Sequence, residues 1–233
     1  MDWRIIRYGT VTSTQDVARE HALSDDASGL VVLAGAQTDG RGSRGSSWQS
    51  AEGGLYMTVV LRPEGRIGLL PLLAGVGVSD AIMGVTGIRP QLKWPNDVLI
   101  DGMKVGGVLL ETAWHGDGPR FTLLGIGVNA SNQLQDDLPR ATTLSRELGS
   151  DVDRDRILLS ILARIEHLLP FLETDPEVIL REWRERNQTL GRYVEVTDIS
   201  GERVCGVAVD LDKDGALIID TDDGPRRVLS GRF

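Results

Sequence analysis

Apolar residues recur at helical spacing in four stretches of the chain and alternate in short runs elsewhere. The helical spacing predicts helices over residues 14–23 and 69–85, a third that starts at 153 and a fourth over 176–186. Short apolar runs predict strands over 30–34, 54–61 and 120–128. From residue 191 onward the runs become shorter and are broken by Asp214-Gly215 and Asp223-Gly224, which predicts a small all-β unit at the end.

The strongest local signal is a hairpin around Asp101-Gly102, because a two-residue turn of this type requires positive φ angles. Counting outward from the turn predicts that the paired residues are Ile100 with Met103, Leu99 with Lys104, Val98 with Val105, and Asp97 with Gly106. Lys104 and Asp97 then lie on one face of the hairpin. Gly106 and Gly107 leave uncovered backbone beside them, as a ligand that lies against a strand would require.

Composition narrows the class of protein. With 233 residues and 41% hydrophobic content, the chain can form one ordinary domain and a small second one. Its net charge of −9 argues against general binding to nucleic acid or anionic membranes. We expect no membrane span and no zinc site, because the three histidines are scattered. One cysteine, Cys205, and an N-terminus without a signal-peptide pattern predict a cytoplasmic protein.

The loop from Gly40 to Trp48 has glycines at the spacing of a dinucleotide-binding fingerprint. That fingerprint requires a helix directly after the loop, whereas the next predicted element is a strand, so a nicotinamide-dependent oxidoreductase remains only a rival interpretation. Arg41 and Arg44 form a local positive site suited to phosphate or carboxylate, and Trp48 offers a flat face for a base. A solvated surface loop with a buried tryptophan is the simpler alternative.

Several motifs in one order resemble the catalytic domain of biotin protein ligases. They are Ser13-Thr14-Gln15, Gln37, the Gly40–Trp48 loop, Lys93-Trp-Pro-Asn-Asp97, Lys104-Val-Gly-Gly107, Gly125-Ile-Gly-Val-Asn129 and the terminal β unit. The resemblance implies an α+β fold with a mixed, mostly antiparallel sheet, like the catalytic domains of class II aminoacyl-tRNA synthetases. A small SH3-like barrel would follow. We therefore predict a catalytic domain over residues 1–187 and a small C-terminal β domain over 188–233.

The resemblance also implies a two-step reaction with ATP and biotin as substrates and Mg²⁺ as cofactor. Biotin is activated as biotinyl-5′-AMP and then transferred to a lysine of a biotin carboxyl carrier protein domain. Both steps concentrate negative charge, so catalysis should rest on positioning and fixed positive charge, with no protein nucleophile. We expect no nucleic-acid or membrane partner, and a homodimer is compatible with the sequence.

The resemblance assigns roles to individual residues. Lys104 would neutralise charge between biotin and the α-phosphate, Asp97 would keep Lys104 charged or help to bind Mg²⁺, and Arg41 would grip phosphate or order the loop. The residues expected around biotin are Ser13, Thr14, Gln15, Gln37, Gly40, Arg41, Gly42, Ser43, Lys104, Gly106 and Gly107. Those expected around ATP or the adenylate are Arg44, Trp48, Lys93, Asn96 and Asn129.

Some of these residues have plain structural alternatives. Ser13 and Thr14 are equally well explained as a helix cap, Asn129 as the cap of a strand end, and Lys93 as a solvated lysine. Lipoate protein ligase and a noncatalytic biotin-binding module remain alternative functions.

The chain departs from the family at three points. Family members that repress transcription carry a DNA-binding helix-turn-helix before the catalytic domain, whereas this chain begins close to the Ser13 motif, so we expect a monofunctional enzyme. Serine stands at positions 43 and 46, where arginine is usual in the family, which predicts weaker closure over the adenylate. The sequence also ends at Phe233, and we expect it to fall short of the family's last strand.

Overall fold

The computed structural model describes residues 1–24, 26–116, 118–135 and 140–233, and its larger sheet has seven strands. In spatial order the sheet runs β1-β2-β3-β7-β6-β5-β4, with β1 parallel to β2 and every other neighbouring pair antiparallel. This matches the predicted mixed, mostly antiparallel sheet. Its strands are β1 (Arg4–Val11), β2 (Leu30–Gln37), β3 (Leu55–Leu61), β4 (Gln91–Lys93), β5 (Asp97–Ile100), β6 (Met103–His115) and β7 (Gly118–Val128).

Six α-helices accompany the sheets in the described ranges, and the four predicted ones are confirmed, with every bound that was predicted lying within one residue of the observed one. The helices are α1 (Thr14–Ala22), α2 (Leu70–Thr86), α3 (Leu144–Leu148), α4 (Arg154–Leu168), α5 (Phe171–Thr174) and α6 (Pro176–Glu185). Two of the starts follow directly from side-chain chemistry. The Ser13 side chain accepts a hydrogen bond from the Gln15 N–H, and the Asp153 side chain accepts one from the Arg156 N–H, which satisfies a free donor in each first turn.

The predicted terminal β unit is a five-stranded antiparallel sheet in the order β11-β10-β9-β8-β12. Its strands are β8 (Tyr193–Asp198), β9 (Arg203–Leu211), β10 (Leu217–Thr221), β11 (Gly224–Val228) and β12 (Gly231–Arg232). The two expected turns join β9 to β10 and β10 to β11. The sheet includes a two-residue strand, β12, which pairs with β8 through Gly231 and Arg232. The expectation that the sequence falls short of the family's last strand stays a prediction.

Helix α2 is the central element of the core. The segment Ile67–Thr86 is long and apolar enough to cross a membrane by length and composition, which corrects our expectation that no stretch approaches a span. Two thirds of that window is buried inside the protein, and α2 packs against α4, α6 and β6. Its apolar character is therefore accounted for by its position, since most of its surface packs against other elements of the protein.

The hairpin turn is confirmed, but its predicted register is wrong beyond the second pair. Asp101 and Gly102 have φ values of 49° and 79°, as a type I′ turn requires. Leu99 pairs with Lys104 as expected, whereas Val98 pairs with Gly106 and Asp97 with Gly107, not with Val105 and Gly106. The extra residue is a β-bulge, which bends the strand at the point where the Lys104 side chain emerges.

Strand β1 was not predicted from the sequence. It lies at the edge of the larger sheet, where alternate side chains are exposed on both faces, and its polar and apolar residues do not alternate cleanly. Sequence periodicity reflects burial on one face, so an edge strand of this kind gives little signal.

The two sheets share one hydrophobic cluster. Buried residues of the second sheet, such as Val196 and Leu217, belong to the same cluster as Leu70 of α2 and Trp94. The Trp94 indole N–H also donates a hydrogen bond to the Gly215 carbonyl oxygen at 3.0 Å. The second sheet is therefore packed against the segment between β4 and β5, next to the predicted Lys93–Asp97 motif.

A charged cluster joins helices α2, α4 and α6. Asp80 accepts hydrogen bonds from Arg164 at 2.8 Å and from Arg186 at 2.9 Å, and Glu182 forms ion pairs with the same two arginines. The Asp80 side chain is only 18% exposed. Its removal would leave two partly buried guanidinium groups with one carboxylate between them.

We predict that Asp80→Asn lowers the free energy of unfolding by about 2 kcal/mol, because hydrogen bonds to charged groups contribute about 1.5–3 kcal/mol when screened little by solvent. The measurement is urea denaturation followed by tryptophan fluorescence. Glu202→Gln is the matched control, since Glu202 makes an ion pair with Arg226 while half exposed, and exposed pairs contribute about 0–1 kcal/mol. Equal losses in the two variants would contradict the prediction.

Candidate active site

A cavity opens over the larger sheet beneath the glycine loop. Strands β3, β6 and β7 form its floor, the start of α1 forms one wall, and the loop covers it. Its lining residues are Ser13, Thr14, Gln15, Gln37, Arg41, Gly42, Ser43, Ser46, Ser47, Trp48, Tyr56, Met57, Asn96, Lys104, Gly107, Val108, Leu109, Gly125, Ile126 and Gly127. The structure thus brings together most of the residues that the sequence analysis placed around biotin. We call this space the main cavity.

Glycines on the floor allow side chains to lie flat on the sheet. Gly107 and Gly127 face each other across β6 and β7, and the Trp48 ring covers both. A Cβ atom on Gly127 would lie 2.6 Å from the ring, which no real contact permits. A Cβ atom on Gly125 would lie 3.2 Å from the Gln15 side-chain nitrogen. The alternating glycines of β7 therefore set the depth of the main cavity.

Two side chains in the main cavity carry buried polar atoms without a hydrogen-bond partner among the described residues. They are the Gln15 amide, through both Nε2 and Oε1, and the Trp48 indole N–H. A buried polar group without a partner costs about 1–3 kcal/mol, so such groups are rare unless a ligand or water satisfies them. Gln15 presents one donor and one acceptor side by side, which suits a ligand with an amide-like edge.

Gln37 has a supporting position at the edge of the main cavity. Its Oε1 accepts hydrogen bonds from the Thr14 N–H at 2.8 Å and the Thr14 hydroxyl at 3.1 Å, and its Nε2 donates to the Ser50 hydroxyl at 2.7 Å. Thr58 in turn donates to the Thr14 hydroxyl at 2.8 Å. These hydrogen bonds fix the N-terminal end of α1 to β2 and β3. They thereby hold the Gln15 side chain over the floor of the main cavity.

Arg41 is held by carboxylates. Its guanidinium donates a hydrogen bond to Asp16 of α1 and lies 3.9 Å from Glu111 of β6, which also pairs with Arg19 at 2.7 Å. The hydrogen bond to Asp16 raises the pKa of Arg41, with a smaller contribution from the Glu111 charge. Of the two roles predicted for Arg41, ordering the loop is the one that these contacts support.

Lys104 stands at the rim of the main cavity. Its Nζ atom lies 2.5 Å from the Asp97 carboxylate and 5.2 Å from the centre of the Trp48 ring. The β-bulge in β6 brings Asp97 opposite Gly107 and leaves the Lys104 side chain beside it. The predicted juxtaposition of Asp97 and Lys104 is confirmed, although by a different register. The described residues include no group of three or more His, Cys, Asp or Glu side chains that would hold a metal ion.

A second cavity adjoins the first and is rich in cations. Arg44, Lys93, Lys104 and Arg232 line it, and Asp97 is the acidic side chain among the described residues there. Burial lowers the pKa of Arg44, and the nearby charge of Arg232 lowers it further. Burial also lowers the pKa of Lys93, with the Lys104 and Arg140 charges acting in the same direction and Asp97 opposing them. We call this space the phosphate cavity, for its surplus of positive charge.

The two cavities share part of their lining. Ser43, Ser46, Asn96 and Lys104 line both. The Asn96 side chain also donates a hydrogen bond to the Val108 carbonyl oxygen at 2.6 Å, which ties the shared wall to β6. Lys104 is the cation at this junction.

Three predicted site residues lie outside both linings. Gly40 and Gly106 act through the backbone: the Gly40 carbonyl accepts a hydrogen bond from the Trp48 N–H at 2.8 Å, and Gly106 packs against Gly127 and Val98. Asn129 is buried at the end of β7, where its side chain accepts a hydrogen bond from Asn132. These contacts shape the loop and the strand ends.

Sequence reasoning missed several lining residues. Tyr56, Met57 and Gly127 lie on strands that were predicted, yet only the order of strands in the sheet places them at the cavity. The alternation of Gly125 and Gly127 was a usable signal, since glycines two apart in a strand lie on one face. Arg232 gave no signal, because its place depends on how the second sheet packs.

Two family profiles cover most of the chain. That of the biotin/lipoate A/B protein ligase family matches residues 8–129, and that of the biotin protein ligase C-terminal domain matches residues 189–233. The chain belongs to the biotin protein ligase family. The first match includes the glycine loop, the Lys104 hairpin and β7, so the residues that line the main cavity fall inside it. The second match covers the five-stranded sheet.

Individual members of the family are similar over nearly the whole chain. The bifunctional ligase/repressor BirA of Bacillus spizizenii is 33% identical over 99% of this chain and 73% of its own length. The biotin–[acetyl-CoA-carboxylase] ligase of Mycobacterium tuberculosis is 33% identical over 94% of this chain and 83% of its own length. A biotin protein ligase from Aquifex aeolicus, solved in complex with biotin and ATP, superposes with a TM-score of 0.84 at 34% identity, covering 98% and 96% of the two chains.

Proposed function

We propose that this chain is an ATP-dependent biotin protein ligase that forms biotinyl-5′-AMP and transfers biotin to a lysine of a carboxylase biotin carrier domain. The observation that carries this proposal is the meeting of two cavities at Lys104. One is lined by the sheet, Gln15 and Trp48, and the other by cations. A carboxylate that enters from the main cavity and a triphosphate held in the phosphate cavity would meet at this amine.

The main cavity suits biotin. The ureido ring of biotin has N–H donors beside a carbonyl acceptor, which complements the donor and acceptor of the buried, unpartnered Gln15 amide. Met57, Val108 and Ile126 provide apolar contacts for the rest of the ring system and the aliphatic chain. The aliphatic chain of biotin would then extend toward Lys104 and place the biotin carboxylate beside the Lys104 amine.

In the first step, a biotin carboxylate oxygen attacks the α-phosphorus of ATP. A new O–P bond forms, the bond from the α-phosphorus to the bridging oxygen breaks, and pyrophosphate leaves with the electron pair. Lys104 would neutralise charge that builds up between the carboxylate and the α-phosphate, and Asp97, 2.5 Å away, would hold the ammonium group in place. We assign the adenosine to Trp48, which lines the main cavity, and to Asn96, which lines both cavities.

In the second step, the amine of the acceptor lysine attacks the carbonyl carbon of the mixed anhydride. The C–O bond to the phosphate breaks, AMP leaves, and the amine proton is released as the amide forms. No side chain of the protein forms a covalent bond, so positioning and fixed charge supply the catalysis. Lys104 acts in this step as well, because the departing AMP carries its charge on the same phosphate.

Mg²⁺ enters this proposal as a partner of the phosphates. Mg²⁺ is usually bound by one or two carboxylates together with substrate phosphates. Asp97 is the carboxylate in the phosphate cavity that fits this role, although its pairing with Lys104 already engages one oxygen. Bound there, the ion would offset charge on the triphosphate.

The proposal also covers the fold type of each sheet and the position of the domain boundary. We assign the larger sheet to the class II aminoacyl-tRNA synthetase type and the second sheet to an SH3-like barrel, with a domain boundary between residues 187 and 188. The mixed sheet with one parallel pair and the five short antiparallel strands support these assignments. A cytoplasmic location and the absence of nucleic-acid and membrane partners belong to the same proposal, which is compatible with a homodimer.

The test is mass spectrometry of a biotin carrier domain incubated with the protein, ATP, Mg²⁺ and either biotin or lipoate. We expect a mass increase of one biotinyl group that depends on ATP. A lipoyl group instead would favour the lipoate ligase, which the shared family name leaves as a second candidate. Biotin binding without pyrophosphate release would indicate a noncatalytic binding module, and a thermal shift with NAD would favour the oxidoreductase.

A further inference from the structure

Two arginines attach the glycine loop to other elements of the protein. The loop is closed at its base by the Trp48 N–H, which donates a hydrogen bond to the Gly40 carbonyl oxygen at 2.8 Å. At its tip, Arg44 donates a hydrogen bond to the Ser230 hydroxyl at 2.9 Å. Near its base, Arg41 extends toward α1 and β6. The contacts of Arg41 therefore bear on how the loop lies over the main cavity.

Asp16 and Glu111 hold Arg41 from two different elements. Asp16 lies in the first turn of α1 and accepts a hydrogen bond from the Arg41 guanidinium group. Glu111 lies on β6, 3.9 Å from the same group, and it also forms an ion pair with Arg19 of α1 at 2.7 Å. The four side chains alternate in charge, so each arginine has a carboxylate beside it. We call them the loop cluster, because they join the glycine loop to α1 and β6.

The loop cluster is partly shielded from water. The exposed fraction of its side chains runs from 28% for Glu111 to 42% for Arg19. Fully exposed ion pairs contribute little, because water and salt screen them, whereas partial burial and a direct hydrogen bond strengthen a pair. The contact between Arg41 and Asp16 has both of these advantages. We therefore expect Asp16 to hold the loop more firmly than Glu111, which is too far from Arg41 for a hydrogen bond.

The first turn of α1 supports both the floor side and the loop side of the main cavity. Gln15 places its unpartnered amide over the floor, and Asp16, the next residue, binds the loop through Arg41. Adjacent residues of one helical turn keep a fixed relative position. The amide that would contact a ligand and the loop that would cover it are thus set by the same turn.

We propose that Asp16, assisted by Glu111, is a positioning residue that holds the glycine loop closed through Arg41 and so limits how fast a ligand leaves the main cavity. This inference rests on the proposed function for the identity of that ligand, biotin. Arg41 lines the main cavity, whereas the two carboxylates lie outside the lining that the structure describes. Both carboxylates therefore act through Arg41, and a covering loop must open before the ligand escapes.

The experiment measures the dissociation rate of biotin and of biotin amide by stopped-flow fluorescence, for which Trp48 in the main cavity is the reporter. We expect Asp16→Asn to speed the dissociation of both ligands roughly fivefold or more at low salt, and Glu111→Gln to act in the same direction with a smaller effect. Asp16→Glu keeps the charge and should recover part of the loss.

Salt dependence distinguishes a positioning role from a merely structural one. Added salt screens a partly exposed ion pair, so it should speed ligand release from the wild type. It should have a much weaker effect on Asp16→Asn, in which that pair is already missing. Biotin amide carries no carboxylate, so the screening of charge on the ligand itself does not contribute to its release rate.

Two control variants match the main substitution. Asp155→Asn also removes a carboxylate from the first turn of a helix, where Asp155 pairs with Arg7 at 3.0 Å, outside the lining of the main cavity. Arg19→Gln removes the ion pair between α1 and β6 and leaves the contact between Arg41 and Asp16. We expect each control to change the release rate by less than about twofold. Thermal unfolding checks the fold of every variant, and Glu111→Gln carries the test if Asp16→Asn does not fold.

Three results would overturn the inference: a wild-type release rate in Asp16→Asn, an equal increase in Asp155→Asn, or faster release with the salt dependence of the wild type. The second would mean that the helix start matters in general, and the third that the charge of Asp16 does not act on the loop. If Asp16→Asn releases biotin faster but the wild type forms no pyrophosphate from ATP and biotin, the proposed function fails while this assignment stands.

Discussion

Lys104→Ala is expected to lower the rate of biotinyl-adenylate formation by about 100-fold or more while the fold stays intact. Loss of one group placed to stabilise developing charge commonly has an effect of this size. The Lys104 side chain is 36% exposed and contacts Asp97 and the Trp48 ring, outside the hydrophobic core, so its removal leaves the packing unchanged. Pyrophosphate release with biotin and ATP measures the rate, and thermal unfolding measures the fold.

The same variant should also slow transfer from supplied biotinyl-5′-AMP, since the α-phosphate carries charge in both steps. Lys213→Ala is the matched control, because Lys213 is an exposed lysine on the turn between β9 and β10. Pyrophosphate release by Lys104→Ala at a rate near that of the wild type would remove this residue from the mechanism.

Ser43→Arg is expected to slow the escape of biotinyl-5′-AMP by roughly tenfold or more. A charge-assisted hydrogen bond contributes about 1.5–3 kcal/mol, and each 1.4 kcal/mol corresponds to a factor of ten. Ser43 lines both cavities at their junction, and its carbonyl oxygen accepts hydrogen bonds from Ser46, so it forms part of the tight turn of the loop. An arginine at this position would donate a charge-assisted hydrogen bond to the adenylate phosphate. The hydroxyl of Ser43 can donate only a neutral hydrogen bond to the same group.

Escape is measured by loading the protein with labelled adenylate and chasing with excess unlabelled biotin. Ser28→Arg adds the same charge at an exposed position outside both cavity linings, and it should leave the release rate unchanged. Equal release rates for Ser43→Arg and the wild type would mean that Arg44 or another group already closes the loop, and the hypothesis would then be dropped.

The fold was predictable where burial produces a regular pattern. Helices α1, α2, α4 and α6 follow from apolar periodicity, and their observed bounds agree closely with the predicted ones. The presence of the second sheet follows from short alternating runs and turn residues, which did not give the bounds of all five strands. Strand β1 was missed because an edge strand exposed on both faces carries no strong period. The register of the β5–β6 hairpin failed at one residue, because a bulge depends on contacts that Lys104 and Val105 make with residues 129 and 140–142, remote in sequence.

The parts of the site that depend only on residues close together in the sequence could be predicted. The Gly40–Trp48 loop was singled out as a positive site suited to phosphate or carboxylate, and Asp97 and Lys104 as a charged pair. The structure brings Ser43, Arg44 and Ser46 of the loop together with this pair around the phosphate cavity. The polar atoms that most favour a ligand, on Gln15 and Trp48, could be recognised only in the structure. A side chain lacks a partner because of what surrounds it, and that depends on all of the neighbouring strands.

The sequence by itself therefore determined the turn at Asp101-Gly102, the cation beside Asp97 and the family motifs, since each depends on neighbours in the chain. Tertiary structure alone decided that Arg41 is held by Asp16 and Glu111 and that β7 supplies the floor of the main cavity. It also decided that Arg232 reaches the phosphate cavity from the second sheet. These contacts are between residues far apart in the chain. Their energies come from packing and charge interactions between different elements, and a local sequence pattern cannot predict such interactions.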